Sequence, residues 1–325
     1  MLDNSSCQHL QADPSLLISM ATLPDDKSMM AQRQEMFTEV CSQDFLSFSF
    51  GGRGYQDQLN DSIAKTSVLA AVKVERLKIP LANSNFVQEV VWVTHNFSFL
   101  GGSLGCAEGE KLTRAFELAA REDLPVCVQC RSGGARMQEG TSSLMQMAKV
   151  SVAVQALGEK GLPFIAVLCD PTFGGVSASY AMQADVRIGL CEAKTHKGAE
   201  TAAAEEPRIG FAGPTVILNT MCEGSQARFD EQCPADFQRA SLVQDCGQVD
   251  LVLDATSSTT STNNADTGGA GSTSTSTGDD SQTVVEQHVA MIASILMANS
   301  NPNIQVNSTT GTTGTTTTTT TSSRA

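Results

Sequence analysis

Two glycine-rich segments hold the residue types best suited to chemistry in this sequence. Each segment, 133–135 (GGA) and 174–176 (GGV), follows a run of apolar residues. Glycine lets a ligand approach the backbone closely, and preorganised N–H groups stabilise oxygen atoms that gain negative charge during a reaction. We therefore expect the backbone to supply two sets of oxyanion donors. The candidate donors are the N–H groups of Gly133, Gly134, Ala135, Gly174, Gly175 and Val176.

The elements around these turns alternate between strands and helices. We expect strands at 124–130, 164–169 and 186–190, and helices at 142–157 and 177–183. Short apolar strands with helices between them imply a parallel sheet built from right-handed crossovers. The carboxyl ends of such strands share one edge, so both turns should lie there, each followed by the positive N-terminus of a helix.

A third glycine-rich turn, 99–105 (FLGGSLG), precedes these two, and its Gly101 and Gly102 are candidate substrate-binding residues. It opens a helix that ends near Arg121, because apolar residues recur with helical spacing from Leu112. Upstream, the pattern predicts a helix at 55–65. It also predicts strands at 67–74 and 86–99, separated by a turn at 80–85, that form a sheet edge.

Low-complexity segments mark the ends of the chain. The Ser, Thr, Gly and Asn residues of 255–282 bury too little apolar surface to offset the entropy of ordering. The expected organisation is a weakly structured N-terminal extension (1–40), a core domain (41–254), a low-complexity linker (255–282), a C-terminal helix (283–300) and a disordered Thr-rich tail (301–325).

Composition restricts the class of partner. The 21 basic and 35 acidic residues give a formal net charge of −14, which argues against binding to nucleic acid or an anionic membrane.

The ten cysteines are dispersed, which favours buried free thiols in a reducing compartment. Cys127 and Cys130 form a C-x-x-C without a second such pair, so no zinc is expected. Without a run of about 18 apolar residues, the chain is expected to be soluble and intracellular.

Several long motifs occur together, within a similarity to a known family that covers about 44–253. They read GGSLGCAEGEKLTRAFELAAREDLP, SGGARMQEG, SLMQMAK, DPTFGGVSASYAM, IGFAGPTVI and FQRASLV. In this order and spacing they resemble the β subunit of the carboxyltransferase component of acetyl-CoA carboxylase. The resemblance implies an α/β, crotonase-like (ClpP/crotonase) fold of repeated ββα units. It also implies transfer of a carboxyl group from carboxybiotin to acetyl-CoA, giving malonyl-CoA for fatty acid synthesis.

The resemblance also implies partners and a mechanism. One peptide N–H from each turn would hold the thioester oxygen, and the released biotin would take the substrate proton, so no side-chain base is obligatory. The expected partners are an α subunit in an α2β2 assembly, a biotin carboxyl carrier protein and biotin carboxylase. The expected location is the plastid stroma or the cytoplasm.

The sequence departs from the family in three respects. Residues 1–40 contain only Cys7, so the four-cysteine zinc ribbon of bacterial members is not expected. The segments 194–206 and 223–233 are expected to be insertions, and the low-complexity segments have no counterpart in compact members.

Three cations near the turns have two interpretations each. Arg136 is suited to position an anionic group of the substrate, or to pair with Glu139 one helical turn away, and the pair is favoured. Lys111 and Arg114 are suited to bind CoA phosphates, but a solvated helix face is an equal alternative.

Other functions remain open at this point. A carboxyltransferase or decarboxylase subunit for another acyl-CoA or malonyl substrate fits the same motifs, and so does a non-catalytic binding subunit. A crotonase-type hydratase requires acidic residues beside its oxyanion hole, for which Glu110 and Glu139 are candidates. A Clp-type serine hydrolase requires Ser177 or Ser179 as nucleophile and a histidine base, for which His196 is a candidate.

Overall fold

A computed structural model describes residues 32–80, 87–194 and 203–254, together with 285, 286, 288–290, 292–294 and 297. The predictions for residues 1–31, the linker and the Thr-rich tail lie outside the described residues, as does His196.

Eleven strands and six α-helices have both of their ends among the described residues. The strands are β1 (Gln32–Met36), β2 (Ser49–Phe50), β3 (Arg53–Gly54), β4 (Val72–Pro80), β5 (Val87–His95), β6 (Val126–Ser132), β7 (Phe164–Phe173), β8 (Val186–Lys194), β9 (Ala203–Glu205), β10 (Ile209–Gly210) and β11 (Leu251–Asp254). The helices are α1 (Tyr55–Thr66), α2 (Cys106–Glu122), α3 (Thr141–Gly158), α4 (Pro214–Thr220), α5 (Gln226–Gln232) and α6 (Ala240–Asp245). Short 3-10 helices lie at Leu100–Gly102, Met137–Glu139 and Tyr180–Gln183.

The main sheet confirms the predicted parallel arrangement. Its strands run in the order β1-β4-β5-β6-β7-β8-β11, and β5, β6, β7, β8 and β11 are parallel to one another. Val128 on β6 lies between Val93 on β5 and Ala166 on β7. The carboxyl ends of β5, β6 and β7 therefore meet at one edge of the sheet.

The edge of the sheet differs from the prediction. Gln32–Met36, placed by the sequence in a weakly structured extension, forms strand β1, which pairs antiparallel with β4. Four of its five residues are exposed, so it lacks the apolar alternation that marks a half-buried strand. The predicted strand at 67–74 begins only at Val72, because Ala71 donates its N–H to the carboxylate of Glu108 (2.7 Å) instead of to a strand.

Two apolar layers cover the sheet. Alternate residues of β6 point to opposite faces, so that Val128 joins the layer formed with α2 and α3, and Cys127 joins the other layer. Described helical residues near the C-terminus pack in this second layer against Trp92. They are Val285, Val289, Ala290, Ile292 and Ala293. Both faces of the parallel strands are therefore buried, as their continuous apolar character requires.

The helix predicted at 177–183 is shorter and of a different type. Residues 174–179 form turns, and only Tyr180–Gln183 is helical, as a 3-10 helix. The hydroxyls of Ser177 and Ser179 donate to the carbonyls of Gly174 (3.1 Å) and Gly175 (2.5 Å). Such side-chain bonds compete with the backbone bonds of an α-helix.

The two segments predicted as insertions lie at the surface where they are described. Strand β9 pairs antiparallel with the end of β8, and α5 occupies most of 223–233. Helices α4 and α5 contain no buried residue. The cysteine prediction is confirmed for Cys127, Cys130 and Cys169, which are buried and free. No helix within the described part of the chain is long and apolar enough to cross a membrane.

Candidate functional site

Three glycine-rich turns meet at the carboxyl edge of the sheet. We call them the first turn (99–105, after β5), the second turn (132–136, after β6) and the third turn (173–177, after β7). The first two are joined by three backbone hydrogen bonds. Gly133 donates to the oxygen of Gly101 (2.9 Å), Leu104 to that of Gly134 (2.8 Å), and Arg136 to that of Leu104 (2.9 Å). The second turn is therefore fixed along one side by the first.

The second and third turns touch through glycine backbones. A Cβ atom on Gly174 would lie 3.1 Å from the Cα of Gly134, and Gly174 has a φ of 62°. Gly134 has a φ of 117°. Both positions combine a positive φ with a close approach, so only glycine satisfies them without strain.

Three of the six predicted donors are already engaged. The N–H of Gly133 is bonded to Gly101, and that of Gly134 to the hydroxyl of Ser132 (3.1 Å). The N–H of Gly174 donates to the oxygen of Phe211 (3.0 Å) in the segment after β10. The prediction is therefore corrected for Gly133, Gly134 and Gly174, whose N–H groups hold the turns together and are not free for a ligand.

The other three donors remain available. Within the described residues, the N–H groups of Ala135, Gly175 and Val176 have no hydrogen-bond acceptor. The bonds of Gly134 and Arg136 to the first turn direct the N–H between them, that of Ala135, to the opposite side. On that side, the Ala135 nitrogen lies 3.3 Å from the Cβ position of Gly175. The free N–H groups of the two turns are therefore neighbours, suited to bind one oxyanion.

The N-termini of the helices contribute less to oxyanion binding than the sequence suggests. The N-terminus of α2 is occupied from within, because Cys106 donates its N–H to Glu139 (2.5 Å) and Gly105 donates to Glu108 (3.1 Å). Helix α3 starts only at Thr141, and a 3-10 helix follows the third turn. The expectation of a helix N-terminus directly beside each donor set is therefore wrong, and the turns themselves provide the donors.

Arg136 is a buried structural cation. Its side chain is fully buried, 2.9 Å from Glu108 and 3.3 Å from Glu139, and its Nη2 donates to the oxygen of Ser103 (2.7 Å). The favoured pairing with Glu139 is confirmed, whereas the substrate-binding role is corrected because the side chain is fully buried and bonded within the protein. Burial opposes the charge of Glu108, but the charge of Arg136 and the hydrogen bonds from Arg136 and the Ala71 N–H together outweigh it and keep the pKa of Glu108 below its ordinary value.

Arg136, Glu108 and Glu139 form a buried cluster with two more residues, which the sequence does not predict to be there. Tyr55 on α1 donates its hydroxyl to Glu139 (2.7 Å), and Ser42 donates to Glu108 (3.1 Å). Burial raises the pKa of Tyr55 well above its ordinary value, so the hydroxyl keeps its proton. Both residues are distant in sequence from the motifs they contact, and nothing in the local pattern indicates the contact.

Lys111 and Arg114 have different surroundings, although both belong to α2. The side chain of Arg114 is 39% exposed and pairs with Glu110 (2.8 Å) and Glu39 (2.9 Å), as on a solvated helix face. Lys111 is 4% exposed, donates to the oxygen of Val72 (3.1 Å) and lines a cavity of about 820 Å³. Burial lowers the pKa of Lys111. The two cations therefore do not form one phosphate-binding pair.

His95 connects the first turn with the segment after the third. Its Nδ1 lies 3.2 Å from the oxygen of Gly102, and its Nε2 lies 2.8 Å from the hydroxyl of Tyr180. Burial lowers the pKa of His95 to about 4, so the ring is neutral at physiological pH. Both ring nitrogens are engaged within the protein, which makes His95 a structural residue.

The geometry gives little support to the two alternative chemistries. The hydroxyl of Ser177 donates to the oxygen of Gly210 (2.7 Å) and is buried, which is unlike a nucleophile. Glu110 pairs with Lys149 (2.8 Å), and Glu139 is committed to the buried cluster. Both carboxylates are therefore engaged within the protein, whereas a hydratase requires an acidic residue that acts on the substrate.

Known proteins share the segment that holds the three turns. A family model described as the carboxyl transferase domain matches residues 87–188, which extend from the start of β5 into β8. The matched segment contains the first, second and third turns.

Two relatives match a longer part of the chain. The acetyl-coenzyme A carboxylase carboxyl transferase subunit beta of Rhodopseudomonas palustris (strain HaA2) is 44% identical over 201 residues, covering 62% of this chain and 54% of the relative. The protein of the same name from Pelobacter propionicus is 39% identical over 223 residues, covering 69% of this chain and 68% of the relative. The chain thus spans little more than half the length of the first relative.

One solved structure is also similar. The transcarboxylase 12S hexamer with methylmalonyl-coenzyme A and methylmalonic acid bound is 21% identical, with a TM-score of 0.49, over 74% of this chain and 37% of that one.

Proposed function

Because the chain belongs to the family of acetyl-CoA carboxylase carboxyl transferase β subunits, with its α/β crotonase-like fold, we propose that it forms the acyl-CoA half of a carboxyl transferase active site. The reaction is transfer of a carboxyl group to acetyl-CoA, giving malonyl-CoA. The observation that carries the proposal is the contact of the second and third turns, which brings the free N–H groups of Ala135 and Gly175 together.

These N–H groups suit the chemistry of the acyl-CoA. Carboxylation requires the methyl group of the thioester to lose a proton, and negative charge then develops on the thioester oxygen. Donors from Ala135 and Gly175 would stabilise this oxygen, and loss of one such donor typically lowers kcat by about 10²–10³-fold. Carboxybiotin, bound to a separate carrier protein, supplies the carboxyl group. We assign no proton transfer to His95, because both of its ring nitrogens are engaged.

The exposed face of α3, which carries little charge, favours a protein partner. Helix α3 has a single charged residue, Lys149, and Leu144, Met145 and Val152 on it are 50%, 63% and 68% exposed. On the same helix, the sulfur of Met147 lies 2.8 Å from the Cβ position of Gly175. Contiguous exposed apolar residues mark interaction surfaces. We assign this face to a carboxyl transferase α subunit, in an α2β2 assembly that acts with a biotin carboxyl carrier protein and biotin carboxylase.

Reconstitution with the α subunit tests the proposal. The chain is co-expressed with the α subunit, and the complex is assayed for decarboxylation of malonyl-CoA in the presence of free biotin, which is the reverse reaction. We expect activity from the complex and none from the chain alone. A complex that forms but leaves malonyl-CoA intact would contradict the proposal, and labelling of Ser177 by a fluorophosphonate would favour a serine hydrolase instead.

A further inference from the structure

We propose that Tyr55, Arg136 and Glu139 are positioning residues for the reaction, which hold the N–H of Ala135 in place without touching the substrate. This inference rests on the proposed function, since it concerns the same donor. All three side chains are at most 1% exposed.

Arg136 positions the N–H of Ala135 because the two residues are adjacent in the chain. It directly follows Ala135, and its side chain binds the first turn twice, from Nε to the hydroxyl of Ser103 (3.0 Å) and from Nη2 to the oxygen of Ser103 (2.7 Å). Together with the backbone bond to Leu104, these contacts hold the second turn on the side opposite to the free N–H. A shift of Arg136 therefore moves the donor.

Glu139 connects Arg136 to two other elements. Its Oε1 accepts from Tyr55 on α1 (2.7 Å) and from Nη1 of Arg136 (3.3 Å), and its Oε2 accepts from the N–H of Cys106 at the start of α2 (2.5 Å). One carboxylate therefore joins α1, α2 and the second turn. It also ends the 3-10 helix Met137–Glu139, only four residues after Ala135.

The hydroxyl of Tyr55 completes the bonding of this buried carboxylate. The cluster contains one cation, Arg136, and two carboxylates, Glu108 and Glu139, away from water. A buried carboxylate that loses a donor becomes under-bonded and must move or find a new partner. Without the Tyr55 hydroxyl, Oε1 of Glu139 keeps only the longer contact with Arg136. Movement of Glu139 then shifts the short 3-10 helix Met137–Glu139, and with it the second turn.

Tyr55→Phe tests this role with little change in shape. In the complex with the α subunit we expect kcat to fall about tenfold, less than on outright loss of a donor, while KM for malonyl-CoA stays within about twofold. In the chain alone, we expect faster amide hydrogen exchange over residues 132–140 and unchanged exchange over 164–169 in β7.

A matched control separates positioning from stability. Ile63 lies on α1 and packs in the same apolar cluster as Tyr55. Ile63→Ala should lower the thermal midpoint at least as much as Tyr55→Phe, yet leave kcat unchanged. Glu139→Gln, which keeps an acceptor for Tyr55, should retain more activity than Glu139→Ala.

Two results would overturn the inference. One is a kcat for Tyr55→Phe equal to that of the parent or of Ile63→Ala, and the other is unchanged exchange over 132–140. If the parent complex itself is inactive, the proposed function fails, and the exchange measurement alone decides whether the cluster positions the second turn.

Discussion

Gly134 and Gly174 pack against each other without side chains between them. A Cβ on Gly134 would lie 3.3 Å from the Cα of Gly174, and one on Gly174 would lie 3.1 Å from the Cα of Gly134. The turns that follow β6 and β7 therefore approach as closely as two backbones allow. The neighbouring N–H groups of Ala135 and Gly175 owe their proximity to this contact.

Gly174→Ala should impair both stability and activity. The new methyl group meets the backbone of Gly134 at a residue with a φ of 62°, so the turns must separate. We expect the free energy of unfolding to fall by about 1–3 kcal/mol and kcat to fall more than KM changes. Urea unfolding of the chain and the decarboxylation assay of the complex measure the two effects.

Gly161→Ala is the matched control for this change. Gly161 has a similar φ of 67°, but no atom lies within 4 Å of its Cβ position. The control should lose stability through backbone strain and keep its activity. Equal losses of kcat in the two variants would show that separation of the turns is not the cause.

Local sequence patterns predict the parallel strands β5 to β8, the main helices and the place of the turns. Glycine pairs after apolar strands indicate where the backbone bends, and parallel strands put such bends at one edge. Whether each N–H is free to bind a ligand depends on residues that are distant in the sequence. Gly133 donates to Gly101, and Gly174 donates to Phe211, both more than 30 residues away. Only the assembled sheet determines that Ala135 and Gly175 keep free donors.

The contacts of the buried cluster are also only partly predictable from the sequence. The pair of Arg136 and Glu139 is three residues apart and follows from helical spacing, and the structure contains it. The contacts of Arg136 with Glu108 and of Glu139 with Tyr55 join separate elements. The sequence therefore predicts the local pair of Arg136 and Glu139, but it does not show that distant residues also bury Arg136 away from the substrate.

The stability of the protein should depend on the protonation of His95. Burial lowers the pKa of His95 to about 4, whereas an unfolded histidine ionises near pH ~6.5. Between these values the unfolded chain binds a proton that the folded chain does not. The free energy of unfolding should therefore fall as the pH drops from about 6.5 to about 4, by roughly 3 kcal/mol from this group.

His95→Asn isolates this contribution. Asparagine offers a donor for the Gly102 oxygen and an acceptor for the Tyr180 hydroxyl, but it does not titrate. Urea unfolding at pH 7.5 and pH 5.0 should show a smaller difference for the variant than for the parent. The same pH dependence in both proteins would exclude His95 as its source.

The cysteines near and far from the site should differ in reactivity. Burial, with the carboxylate of Glu139 nearby, raises the pKa of the Cys106 thiol to about 12, while Cys246 is exposed. Because the thiolate is the reactive form, iodoacetamide at pH 8 should label Cys246 quickly and leave Cys106 unmodified. Peptide mass spectrometry measures both sites, and urea should abolish the difference. Equal labelling rates in the folded chain would contradict the raised pKa of Cys106.

Charge on the outer face of α3 should weaken binding of the α subunit. Val152 is 68% exposed on α3, the helix whose Met147 touches the third turn, and a lysine there would carry its charge into the proposed interface. We expect Val152→Lys to weaken the complex about tenfold or more, ~1.4 kcal/mol, in a titration with the α subunit. Val87→Lys, at the 48% exposed first residue of β5, should bind as the parent does. Both variants should unfold at the parent midpoint, because neither side chain is buried in the chain alone. Equal affinity of Val152→Lys and the parent would place the α subunit on another face.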